Sequence, residues 1–258
     1  MNHIEETAAR LDTAARAAHA IAQVDPDNQL SLEEAYLIQC AVVQHRVARG
    51  NARTGVKMGF TSRSKMLQMG LADVIWGRLT QDMNVEEGGA ISFARYVHPR
   101  VEPELAFILK KPIPAHATAP EALACVEAIA PALEIIDSRY VDFKFTLTDV
   151  IADNASSSGY VIGPWCDPSV DFSNLGLTLN IDGRVIQVGS TAAILGHPLR
   201  SLVAAVRLSA ASGEPLQAGA VVMAGGATAA EWIKPGNAVS VEIEGLGQAA
   251  FRVEGEKQ

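Results

Sequence analysis

The sequence is short of several things, and each shortage removes a class of function. It has three cysteines, Cys40, Cys125 and Cys166, odd in number and far apart, with no C-x-x-C. Nothing there indicates a zinc knuckle, a redox dithiol or a disulfide scaffold; reduced thiols in a cytoplasmic protein are expected. No Lys/Arg-rich run occurs and the formal net charge is −8, which argues against nucleic acid or an anionic membrane surface as a partner. No apolar stretch approaches the roughly 20 residues needed to span a bilayer. The acidic start, Met1-Asn-His-Ile-Glu-Glu6, lacks the apolar segment of a signal peptide. G-x-S-x-G, P-loop and H-E-x-x-H patterns are missing, and Gly245-Leu-Gly247 lacks the third glycine and the βαβ setting of a dinucleotide site. There is no internal repeat.

What remains is ample for a core: 258 residues, 48% of them hydrophobic. Helical spacing predicts a helix over 4–23, broken by Asp25-Pro-Asp-Asn28. Ser31 with Glu34 forms a capping box for a second helix, which should stop at Gly50. A short helix is expected after Thr61-Ser62, ending near Gly70. From residue 90 the pattern turns strand-like, at 90–97, 101–110, 131–137, 176–182, 185–188, 219–224, 238–244 and 248–253, with hairpin turns at Asp182-Gly183 and Gly245-Leu-Gly247. Helices are expected at 119–130 and 198–212, the latter closed by Gly213. Strands that do not alternate regularly with helices point to an α+β fold. It divides into a helical N-terminal region, 1–56, packed on a β-rich body, 57–258.

The chemistry begins at Val101-Glu-Pro-Glu-Leu105, followed by the apolar run to Leu109. A strand sends alternate side chains to one face, so Glu102 and Glu104 project together. Glu134 lies in a second apolar run, Pro131-Ala-Leu-Glu-Ile-Ile136. Buried like charges repel unless a cation lies between them, and carboxylate oxygens suit hard ions such as Mg2+ or Mn2+. The alternative is an exposed edge strand with solvated acids. Pro103 removes a ladder donor, so an edge or a bulge is expected there.

Other clusters carry two readings each. Lys57, within Gly55-Val-Lys-Met-Gly-Phe-Thr-Ser62, is either a cation that stabilises a developing oxyanion or moves a proton, or an ordinary snorkelling lysine. His98 and Arg100 either touch substrate or are structural. Asp153 and Asn154 orient ligands or substrate, or make Asx turns. His197 before Pro198 reads equally as a helix cap. Ala224-Gly-Gly-Ala-Thr-Ala-Ala230 lets backbone N–H groups approach a carboxylate, or simply turns.

In order, Lys57-Met-Gly59, Glu102-x-Glu104, Glu134, Ala152-Asp-Asn-Ala-Ser156, Gly196-His-Pro198 and Gly225-Gly226 resemble the fumarylacetoacetate hydrolase superfamily. Within it they are similar to the branch of 2-oxopent-4-enoate hydratases and 2-oxo-3-hexenedioate (4-oxalocrotonate) decarboxylases, over about residues 30–253. The resemblance implies helices preceding a mixed β-roll or sandwich, with Mg2+ (Mn2+ the alternative) on Glu102, Glu104 and Glu134, and Lys57 as the active-site lysine. It implies substrate contacts from Ile75, Asp153, Asn154, Ser156, Gly226 and Thr228, a small 2-oxo dicarboxylic acid as substrate, a homo-oligomer, and a complex with the cognate hydratase. Hydratases of this branch carry an acid where Val74-Ile-Trp-Gly77 has apolar Ile75, and 136–145 also resembles the decarboxylases. Phe60, Pro103 and Glu231-Trp-Ile-Lys234 depart from the pattern. The expected reaction is loss of CO2 from 2-oxohex-3-enedioate. A hydratase is the alternative, and a non-catalytic partner subunit is the alternative from another class. Arg63, Arg100 and Arg139 are the candidates for the distal carboxylate.

Overall fold

A computed structural model describes residues 3–62, 66–67 and 72–255. The helices are α1 (His3–Ala17), α2 (Leu32–Ala48), α3 (Ala119–Leu123), α4 (Leu147–Ala152) and α5 (Pro198–Ala211). The strands are β1 (Arg53–Gly59), β2 (Ile75–Thr80), β3 (Asn84–Val85), β4 (Ala90–Ser92), β5 (Arg100–Leu109), β6 (Val126–Ile136) and β7 (Ser157–Ile162). They continue with β8 (Gly176–Ile181), β9 (Arg184–Ser190), β10 (Val221–Met223), β11 (Glu231–Trp232), β12 (Ala238–Ile243) and β13 (Gly247–Glu254). Among the described residues they form an eight-stranded sheet, β2-β1-β10-β5-β6-β7-β3 with β11 also on β5, and a five-stranded sheet, β4-β13-β12-β8-β9. Pairing is mixed: β1–β10, β3–β7 and β4–β13 are parallel, the rest antiparallel. This is the expected α+β architecture with sheets packed as a sandwich.

Alternation sorts β5 into two faces. Val101, Leu105, Phe107 and Leu109 enter the main core, which they share with Val239, Val241, Phe251 and Val253 of the smaller sheet. Glu102 and Glu104 take the opposite face, where Ala106 and Ala132 pack with Leu79, Tyr160 and Met223. At about 25 cal/mol per Å² of apolar surface removed from water, burial on this scale dominates folding.

Helix α2 packs against α1, β2 and α4. Ser31 and Glu34 make the expected capping box, and Arg49 ends the helix just before Gly50, which has φ +92°. Buried Gln39 donates to the carbonyls of Trp76 (3.1 Å) and Ile151 (2.8 Å), tying α2 to β2 and α4. Tyr36 stacks on Trp76 with centroids 5.8 Å apart. The N-terminal helices therefore pack on the β body; residues 56 and 57, the expected border, both lie inside β1.

Several elements differ from their predicted spans. Helix α1 stops at Ala17, because Ala18 turns to φ 49° and Ile21 pairs with Tyr140. The helix read over 119–130 ends at Leu123, because 126–130 extend β6 along β5, where ladder hydrogen bonds override helical spacing. The strand read at 90–97 ends at Ser92. Strands β1, β2, β3, β7 and β11 lie outside the predicted strand spans. The short helix expected between Thr61 and Gly70 falls largely outside the described residues. Asp182 and Gly183, at φ 53° and 73°, make the expected hairpin turn.

Pro103 corrects the edge-or-bulge expectation. Strand β5 is interior and its register with β6 is regular there, Pro103 opposite Leu133. The break is in its other neighbour. Strand β10 pairs with Ala106–Ile108 and β11 with Arg100–Val101, leaving 224–230 looped out between them. The Pro103 carbonyl accepts from Ala227 N–H at 2.9 Å, so its missing N–H faces the same loop and disturbs no ladder.

Candidate metal centre and active site

The antiparallel register places Glu102 directly opposite Glu134, with Glu104 one pleat further along β5. Strand β1 lies two strands from β5, and alternation turns Lys57 to the acids' face while Val56 and Met58 enter the core. One oxygen from each of Glu102, Glu104 and Glu134 lies within 4.8 Å of the others. Glu104 and Glu134 are fully buried. Lys57, 3% exposed, donates to Glu134 Oε2 at 3.1 Å. Gly225 N–H donates to Glu104 Oε2 at 2.7 Å.

Close approach explains the glycines. A Cβ at Gly226 would lie 2.5 Å from Glu102 Oε2, and one at Gly225 would lie 2.3 Å from Thr61 Oγ1. Gly225 also takes φ +104°, a region glycine enters without strain. The loop is anchored by Ser201, whose hydroxyl donates to the Ala224 carbonyl at 2.6 Å.

Burial works against ionisation of two of these acids. Burial pushes the Glu104 carboxyl far up from its ordinary range, and Glu134 and Glu102 add to the rise. Burial also raises Glu134, against the opposing pull of Lys57. Glu104 Oε1 and Glu134 Oε1 are buried with no hydrogen-bond partner among the described residues. Orphaned buried acceptors are costly. A divalent cation among three carboxylates would take up those lone pairs and offset their mutual repulsion. The donor set, oxygen only, fits Mg2+ or Mn2+.

A cavity of about 290 Å3 opens beside this cluster, with Glu102 the acid that lines it. Lys57, Glu102, Ser62, Ser156, Gly226 and Thr228 line its polar part; Ile75, Ile136, Phe143, Phe145, Val150 and Ala155 line its apolar part. Among the described residues Lys57 is its sole cationic side chain. Ser156 is buried with its hydroxyl unpartnered. It ends a turn in which Asn154, Ala155 and Ser156 all have positive φ, 51°, 52° and 60°, a strained run that side-chain bonds hold in place.

Those bonds reassign two expected substrate contacts. Asn154 accepts from Arg78 N–H (2.8 Å) and donates to the Arg78 carbonyl (2.9 Å). Asp153 pairs with Arg139, accepting from its side chain and from its backbone N–H at 2.9 Å. Neither lines the cavity; both brace the turn that carries Ser156. The second reading of these residues, as local hydrogen-bonding groups, is the one the geometry takes. His197 is likewise a cap, its Nδ1 accepting from Leu199 N–H at 3.1 Å. Arg139 lines a different cavity. Arg100 is sandwiched between Phe143 and Trp232, 4.1 and 3.8 Å from the ring centroids, and braces the aromatic wall rather than lining the cavity. Arg63 lies outside the described residues. The sequence reading missed Phe143 and Phe145; the aromatic residues of Phe143-Lys-Phe145 were the available signal.

The fumarylacetoacetate (FAA) hydrolase C-terminal family matches residues 54–254. A 4-oxalocrotonate decarboxylase of Pseudomonas sp is 55% identical over 98% of this chain and 99% of the relative. A 2-keto-4-pentenoate hydratase of Paraburkholderia xenovorans (strain LB400) is 33% identical over 97% of this chain and 94% of its own. Among solved structures, 4-oxalocrotonate decarboxylase from Pseudomonas putida G7, complexed with magnesium and adipate, superposes with a TM-score of 0.92 at 35% identity, covering 97% of each chain.

Proposed function

The chain belongs to the fumarylacetoacetate hydrolase family, and on that premise we propose that it decarboxylates 2-oxohex-3-enedioate (4-oxalocrotonate) to 2-hydroxypenta-2,4-dienoate and CO2. It is a metal-dependent carboxy-lyase of aromatic meta-cleavage catabolism. The observation that carries this reading is the full-length 55% identity to a decarboxylase, against 33% to a hydratase. The magnesium and adipate in the solved relative support a divalent cation and a six-carbon dicarboxylate.

Glu102, Glu104 and Glu134 would hold the cation, which when bound supplies Lewis-acid stabilisation of negative charge on the substrate's C2 oxygen. The acids thereby fix the C1–C2 end of the substrate at the polar end of the cavity. The distal carboxylate then lies against Ile75, Ile136, Phe143, Phe145 and Val150. That wall excludes water, which disfavours a localised carboxylate charge more than the delocalised charge that replaces it. As the C5–C6 bond breaks, its electron pair moves through the C3=C4 bond to the C2 oxygen, and CO2 departs. The Lys57 ammonium, which lines this cavity and donates to Glu134 behind it, stabilises the dienolate and offers the proton that its oxygen gains. No nucleophile or Schiff base is needed.

The hydratase reading has relatives in its favour but needs a group to place and activate water. Ile75, buried in the cavity wall, offers none. The purified chain with Mg2+ should release CO2 from 2-oxohex-3-enedioate; adding water to 2-hydroxypenta-2,4-dienoate while releasing no CO2 would overturn the assignment, and inactivity on both would favour a non-catalytic subunit. The same proposal places the enzyme in the cytoplasm, where its three unpaired cysteines would remain reduced, as a homo-oligomer in complex with the cognate hydratase. Among the described residues no helix is long and apolar enough to cross a membrane.

A further inference from the structure

A second polar cavity, about 230 Å3, shares no lining residue with the glutamate cavity. Arg16, Arg46, Arg49, Arg95 and Arg139 line it, with Asp82 and Asp137 as the lining acids and Tyr96 and Ser158 as hydroxyl-bearing side chains. The convergence is unexpected in a chain of net charge −8. Three of the guanidiniums have acids of their own. Arg46 pairs with Asp82 at 2.7 Å, Arg49 forks onto both oxygens of Asp12 at 2.7 Å each, and Arg139 pairs with Asp153. Asp137 is already engaged, accepting from the backbone N–H groups of Val97 (2.9 Å) and His98 (2.8 Å). Arg16 and Arg95 have no carboxylate within 4.0 Å among the described residues.

Here Arg46 meets the like charge of Arg139; burial works to lower the Arg139 pKa, while Asp153 and Asp137 raise it. Burial, with the charge of Arg139 adding to it, works to lower the Arg46 pKa, and Asp82 only partly offsets them. Such an arrangement is relieved by an anion with several acceptor oxygens, which guanidinium forks recognise in pairs. The volume is small, and Ala15 is the sole aliphatic residue in the lining. This suits a compact dianion rather than a ligand with a hydrocarbon body.

We propose that this cavity binds a compact dianion of the phosphate class, either free phosphate or the phosphate end of a monoester. Arg139 joins it to the catalytic cavity, since its other contacts hold Asp153, next to the turn that carries Ser156.

Titration calorimetry with inorganic phosphate, and separately with glycerol 1-phosphate, tests this at constant ionic strength set by chloride. Both the Mg2+-loaded and the metal-free full chain should bind. Binding of phosphate alone supports a closed site for the free anion, and binding of both supports one open to an ester. Arg16 and Arg95 are exposed and without ion pairs, so R95Q and the R16Q/R95Q double variant should fold normally. Affinity should fall about tenfold in R95Q and about a hundredfold in the double variant. No binding of either anion to the wild type would overturn the proposal. So would binding that requires Mg2+, which would place the anion at the three glutamates, or affinity unchanged in the double variant.

Discussion

Gly226 stands so close to Glu102 that a single added carbon would lie 2.5 Å from Oε2 and 2.9 Å from Cδ. The glycine loop and the acidic strand are thus one device: strand β5 aims the carboxylate, and the absence of a side chain at 226 leaves room for it. The clash is with the far end of a flexible side chain, so Gly226→Ala should fold but turn Glu102 aside. Mg2+ affinity should fall about 10- to 100-fold, the range for displaced support around a ligand. Titration of the metal against circular dichroism and calorimetry checks it; unchanged affinity with unchanged fold would remove Glu102 from the ligand set.

Lys57→Ala takes the cation from a buried carboxylate while leaving all three acids in place. Turnover should drop about 10²- to 10³-fold, the usual loss when one oriented stabiliser of developing charge is removed. Metal affinity should change less than turnover. Steady-state CO2 release and a Mg2+ titration on the same preparation separate the two; equal losses would make Lys57 a support for the metal alone.

Ile75→Asp puts a carboxylate into the apolar wall at the position where the resembled hydratases carry an acid. The new charge and the water it draws in should slow CO2 release about a hundredfold or more, in keeping with the several kcal/mol that an unpaired buried charge costs. Undiminished release would show that the apolar wall contributes nothing to decarboxylation.

Glu214 ties β1 and β2 to the end of α5, accepting from Arg53 at 2.6 Å and from Arg78 at 2.6 Å. Burial works to raise its pKa, but the hydrogen bonds from Arg78 and Arg53 outweigh it and hold the carboxyl below its ordinary 4.5. The stability this group supplies is therefore complete above the unfolded value and lost as pH falls through the depressed folded value. Wild type should exceed Glu214→Gln in urea midpoint near neutral pH, and the gap should close below pH 4.5. A gap that persists in acid would mean that the variant loses packing rather than charge.

The acids were readable because their signal is local. A period of two puts Glu102 and Glu104 on one face whatever the partner strand, and Glu134 declares itself as a charge inside an apolar run. The strand that carries Lys57 was not readable. Gly55 and Gly59 weaken its β signal, yet Gly55 is required because a Cβ there would meet the Val221 carbonyl oxygen at 1.9 Å. That demand comes from β10, which lies far away in the sequence. The same holds for Asp153 and Asn154, whose partners are Arg139 and Arg78; the motif marks a braced turn, and only the tertiary contacts show that the bracing residues face away from the cavity. The aromatic wall depends on Arg100 meeting Phe143 and Trp232 across three separate segments, a convergence with no trace in local spacing.

The most direct measurement strips the purified chain of metal with a chelator and follows CO2 release from 2-oxohex-3-enedioate as Mg2+ is returned, in the wild type and in Glu102→Gln. The expected result is negligible release without metal, full recovery in the wild type with one Mg2+ per chain, and almost none in the folded variant. Release that survives chelation, or a Glu102→Gln variant that recovers like the wild type, would contradict the account.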